Sequence, residues 1–119
     1  MNKETFIKEI ESTDTDKDRK EIISKLYSEN LPEQVFKIIS NSKESTFFED
    51  GTRILSYDEV INAEHDLHVE FSKKGIIPVA DCMDNIFIVY DYINSIWSMF
   101  DITDEVCFTK SDSLEDLLK

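Results

Sequence analysis

From residue 76 onward the chain alternates short apolar runs with links too short to cross over a sheet. The runs cover residues 76–80, 86–90, 96–100 and 106–109, and they are rich in β-branched and aromatic residues, which favours strands. The links between them read DCMDN, DYINS and DITDE. A parallel crossover needs roughly a dozen or more residues, so links of this length force antiparallel neighbours in chain order.

The first half has the other period. Phe6, Ile7 and Ile10 mark one helix, and Ile22, Ile23, Leu26 and Tyr27 mark the face of a second. The segment TDTDKD between them offers capping oxygens and acids to the second helix. Leu31-Pro32-Glu33 opens a third helix, lined by Val35, Phe36, Ile38 and Ile39. After a turn at Glu49-Asp50-Gly51-Thr52, a short strand is expected at Arg53-Ile54-Leu55. Ser56 with Glu59 fits a capping box. The helix it starts is expected to carry Val60, Ile61, Leu67 and Phe71 on one face and to end at Lys73-Lys74-Gly75. The tail SDSLEDLLK reads as a capped final helix. Helices followed by a meander predict an α+β fold, an antiparallel sheet flanked by N-terminal helices and a C-terminal helix. A chain of 119 residues suits one domain, here 1–119.

Charge narrows the partners. Thirteen basic and 26 acidic residues leave a formal charge of −13, which repels nucleic acid and anionic membrane surfaces and favours a basic partner. No apolar run is long enough for a membrane span, and the N-terminus lacks a signal-peptide pattern. Two cysteines are too few for a disulfide framework, and these features together predict a cytoplasmic protein. Residues 75–109 contain no Lys, Arg or His but six acids: Asp81, Asp84, Asp91, Asp101, Asp104 and Glu105. Aspartate is common in turns because it hydrogen-bonds the local backbone, which accounts for the acids but not for the missing cations. The alternative is an acidic binding surface on the turn rims. Tyr90, Tyr92 and Trp97, on or beside the strands, are either core residues or anchors of that surface.

Catalytic and metal patterns are weak. Glu64-His65-Asp66-Leu67-His68 supplies two histidines one helical turn apart, but a zinc site needs three or four convergent ligands. His68 falls beside Leu67 and Phe71, where a packed histidine bonded to Glu64 is expected. Asp14, Asp16 and Asp18 resemble the start of a calcium-binding loop, yet Arg19 stands where glycine is required and Lys25 where a bidentate glutamate is required. A nucleophilic pairing of Cys82 or Cys107 with a histidine has no visible cation to activate the thiol. Two glycines, Gly51 and Gly75, make no phosphate-cradling loop. No catalytic residue, metal or cofactor is implied.

Read in order, several segments resemble the SUKH superfamily. LPEQVFKIIS resembles its early helix, RILSYDEVINAE its strand and capped helix, GIIPVADCMDNIFIVYD its paired strands, and DSLEDLLK its closing helix. The match covers residues 31–118, with 1–30 as an additional helical part. The usual glycine-containing turn after Ala-Asp is here Cys82-Met83-Asp84, with Asn85 retained. The resemblance implies an α+β fold without enzymatic activity. It also implies a bacterial immunity protein, monomeric when free, that neutralises a cognate toxin such as a basic nuclease. The same superfamily includes fungal regulators of cell-wall synthesis, so a regulatory or scaffolding module is the alternative. A small hydrolase using Cys82 or His65 is a third reading.

Overall fold

The computed structural model describes residues 2–118. Three helices come first: α1 (Lys3–Ser12), α2 (Lys17–Leu26) and α3 (Glu33–Asn41). Each begins where the sequence supplies a start signal. Asn2 Oδ1 accepts from the Thr5 amide at 2.7 Å, and Asp16 Oδ1 accepts from Arg19 N at 3.1 Å. Pro32 precedes the first turn of α3. Two short strands follow, β1 (Thr46–Phe47) and β2 (Arg53–Ile54), then α4 (Tyr57–Ile61), α5 (Ala63–Leu67) and α6 (Phe71–Lys74). The chain closes with β3 (Ile76–Asp81), β4 (Ile86–Asp91), β5 (Ile96–Asp101), β6 (Val106–Ser111) and α7 (Leu114–Leu118).

All six strands form one antiparallel sheet in chain order, β1 to β6. The class is α+β, as the short links require. β1 was not expected; it pairs Thr46 with Ile54 and Phe47 with Arg53.

Strand alternation puts Phe87, Val89 and Phe100 on one face and Ile88, Tyr90 and Trp97 on the other. Both sets are buried, so the middle of the sheet is covered on both sides. Phe71 of α6 meets Phe100 at 5.9 Å between ring centroids, which assigns α6 to the first face. On the second face Tyr90 and Trp97 meet edge to face at 5.1 Å. Helix α3 packs on β3, α7 on β5 and β6, and α1 on α3 and α7. These contacts build one continuous apolar core.

Two expectations need correction. The single helix expected between Ser56 and Gly75 is three short ones. The capping box at its start is present: Glu59 N donates to Ser56 Oγ at 3.2 Å and Ser56 N to Glu59 Oε1 at 3.1 Å. A first interruption falls at Asn62, and the larger break comes at His68, which is left-handed with φ 57°. In a continuous helix Val69 would lie nearly opposite Val60 and Phe71. The break lets Val60, Val69 and Phe71 all be buried. It also leaves His68 exposed, not packed against Glu64, whose carboxylate instead accepts from Ser72 Oγ at 3.0 Å. The second correction concerns α2. Ile23 is fully buried and Tyr27 half-buried, but Ile22 and Leu26 flank that face and are 44% and 42% exposed.

Candidate functional site

In a meander, successive turns alternate between the two ends of the sheet. The turns at 82–85 and 102–105 therefore share one end, and the turn at 92–95 lies at the other. Ile102 N donates to Asn85 O at 3.0 Å and ties the first two together. The β1–β2 connection joins them, because Arg53 is opposite Asp81 and Met83 lies over Gly51. A Cβ on Gly51 would come within 2.6 Å of the Met83 methyl, which can swing aside, but φ +91° favours glycine there. Asp81, Asp84, Asp101, Asp104 and Glu105 thus converge with Glu49 and Asp50 at one end. Asp91 does not belong to this group.

Among the described residues, three cations reach these acids. Lys3 Nζ lies 2.5 Å from Asp50, Arg53 Nη2 lies 3.2 Å from Asp81, and Lys74 Nζ lies 3.2 Å from Glu105. Arg53 also bonds Glu59 at 2.5 Å and Ser45 at 2.9 Å. Burial pushes the Glu59 carboxyl up, but its bonds from Ser45, Arg53 and the Ser56 amide win and hold it at about 2. The hydrogen bond from Lys3, aided by the Thr52 amide, likewise holds Asp50 at about 2.

The strand-ending aspartates at both ends are structural. Asp81 Oδ1 accepts from Met83 N at 2.8 Å. Asp101 Oδ1 accepts from Thr103 N at 2.8 Å and Asp104 N at 3.3 Å. Asp91 Oδ1 takes Ile93 N at 3.0 Å and Asn94 N at 2.9 Å, and its Oδ2 takes Asn94 Nδ2 at 2.8 Å. Local turn chemistry therefore explains three of the six acids. The fourth position of each link reads Asp84, Asn94 and Asp104; Asp84 is left-handed at φ 54°, a conformation that Asn and Asp both tolerate, so the turn selects the residue type there without needing its charge. The turns at 92–95 and 102–105 share their conformation, with Ser95 and Glu105 both left-handed at φ 55°. In that turn Asn94 donates to the capping aspartate, whereas Asp104 sets a second negative charge beside Asp101. The equivalent turn closes with a neutral residue at that position, so its geometry does not require the charge of Asp104.

The 82–85 turn is strained as well as charged. Met83, Asp84 and Asn85 are all left-handed, at φ 72°, 54° and 65°. A methionine there is unfavourable, and strain of this kind persists where the surroundings impose it, often at binding sites. Met83 is 51% exposed at the tip. Of the aromatics expected as anchors, Trp97 is 3% and Tyr90 7% exposed, both core positions. Tyr92 is half-buried at the opposite end, its hydroxyl donating to Ser72 O at 3.1 Å. The exposed apolar groups beside the acids include Phe47, Met83, Val106 and Phe108. Aligning the three links by position would have singled out Asp84 and Asp104 from the sequence alone. The exposure of Met83 had no such signal.

Nucleophilic chemistry finds little support. Burial and the neighbouring Asp81 push the Cys82 thiol up, away from a reactive thiolate. His65 pairs only with adjacent Asp66, at 3.1 Å, on the surface. Among the described residues no group of three or more His, Cys, Asp and Glu could hold a metal ion. Among them, too, no helix is long and apolar enough to cross a membrane. Compared with known protein families, with curated proteins and with solved structures, the chain has no match.

Proposed function

We propose that this chain is a non-catalytic binding protein, an immunity protein of the SUKH type that neutralises a basic bacterial toxin in the cytoplasm. The observation that carries the reading is the acidic end of the sheet, where Asp84 and Asp104 add charge that the turn does not need. Such a surface steers a cationic partner into encounter and is sensitive to salt. Exposed Met83 beside those acids offers an apolar contact that becomes buried on binding. The raised Cys82 thiol and the isolated histidines favour binding over hydrolysis.

The test is co-purification of the tagged chain with the product of the adjacent gene, followed by a toxicity assay with and without the chain. The reading predicts a stoichiometric complex whose association slows as salt rises, and rescue of growth. Failure to bind or protect, or a complex that is equally fast at high salt, contradicts it.

A further inference from the structure

The two edges of the sheet differ. β1 is two residues long, a common way of keeping an edge from pairing with other chains, whereas β6 spans six residues and is guarded only in its second half, by a bulge and Lys110. Among the described residues no strand pairs with the outer side of β6. Val106 pairs with Asp101 and Phe108 with Met99, so both side chains lie on the face that also carries Trp97. That face is closed at Trp97 but open toward the acidic end, where Val106 is 51% and Phe108 40% exposed. A register shift between Trp97 and Met99 bulges β6 at Thr109, which is left-handed with φ 49°. Ser98 Oγ donates to Phe108 O at 3.0 Å and pins the strand just before the bulge. The regular part of the edge is therefore residues 106–108, directly after Asp104 and Glu105.

We infer that this edge receives an extended basic segment of the protein partner by strand addition, a reading that rests on the proposed function and names the part of the surface that does the docking. Backbone groups of β6 would pair with the incoming strand, and Val106 and Phe108 would pack its alternate side chains. Its cations would lie within a Debye length, about 8 Å, of Asp101, Asp104 and Glu105. A second copy of this chain fits poorly. Each copy carries a net charge of −13 and would bring the same acids to the shared edge.

The experiment is an NMR titration of the 15N-labelled chain with a ten-residue peptide alternating Lys and Val. Controls are a Lys/Pro peptide of equal charge built as Lys-Pro-Pro repeats, in which the prolines remove donors from both strand edges, and a Glu/Val peptide. The inference predicts saturable amide shifts centred on residues 106–108 with Lys/Val, at least about fivefold weaker binding of Lys/Pro, and none of Glu/Val. Val106→Lys with Phe108→Lys, both at exposed positions, should weaken the Lys/Val peptide by at least about fivefold while leaving the native spectrum intact. Shifts confined to the turns at 82–85 and 102–105, or equal binding of Lys/Val and Lys/Pro, would show charge attraction alone and overturn the inference. So would an absence of saturable binding. A captured protein partner that binds the doubly substituted chain normally would also sink strand addition while leaving the immunity reading standing. Edge binding of the peptide by a chain that captures no protein partner would have the reverse meaning.

Discussion

The turns at 92–95 and 102–105, at opposite ends of the sheet, share one conformation and differ in charge at two positions, Asn94 against Asp104 and Ser95 against Glu105. At each end an aspartate closes a strand and caps the turn that follows. At the 92–95 end that aspartate is buried, Asn94 donates to it, and Ile93 covers Gly75. At the 102–105 end the residue equivalent to Asn94 is Asp104. Shared geometry with unshared charge separates what the fold needs from what it merely tolerates. The cap belongs to folding, and the extra carboxylate does not.

Breaking the cap should have the largest effect. Asp91→Ala leaves two amides and the Asn94 side chain without their acceptor in a site 8% exposed. A loss of about 2–3 kcal/mol in a urea denaturation is expected. Asp104→Ala, measured in the same way, should cost less than about 0.5 kcal/mol.

Acid should then weaken the acidic end through Glu59. Its carboxyl is held at about 2 in the fold against an ordinary value of 4.5. A carboxyl whose pKa is lowered by folding stabilises fully above its ordinary value, and that contribution fades as pH falls from near 4.5 toward 2. Because its side chain is 37% exposed, the contribution is discounted for screening to about 1–2 kcal/mol. Glu59→Gln should remove this part of the acid-side slope in stability measured between about pH 5 and 2. An unchanged slope would exclude the Arg53–Glu59 pair as its cause.

Exchanging the fourth-position residues sharpens the comparison further. Asn94→Asp removes a donor and places a carboxylate beside buried Asp91, with an expected cost of about 1 kcal/mol by thermal or chemical melting. The reciprocal Asp104→Asn supplies a donor and relieves repulsion from Asp101, with an expected gain of a few tenths of a kcal/mol. If Asp104→Asn destabilised the chain as much as Asn94→Asp, the two ends would not be the same turn with different charge.

The sheet was legible because link length alone decides strand direction, and the capping residues Asp16, Ser56 and Glu59 do in the structure what their types suggest. The break at His68 was not legible. Val60, Leu67 and Phe71 fit one helical face, and only the tertiary requirement to bury Val69 as well splits the helix. The outer apolar pair on α2 failed for a similar reason, since periodicity does not say how wide a face the neighbours will cover. At the site, the concentration of acids was visible. A meander divides those acids between two ends, and so the sheet separates Asp91 from the acids that follow and precede it in sequence. Tyr90 and Trp97 could be assigned to core or surface only once both faces were known to be covered.

The central claim is that the charges of Asp84 and Asp104 are held for binding and not for folding. The direct measurement is the association rate of the co-purified basic partner against salt concentration, for the native chain and for Asp84→Asn/Asp104→Asn, with urea stability measured on both. The account predicts slower association with a flatter salt dependence and stability equal to or above that of the native chain. Unchanged association, or a variant that loses both binding and stability, would contradict it.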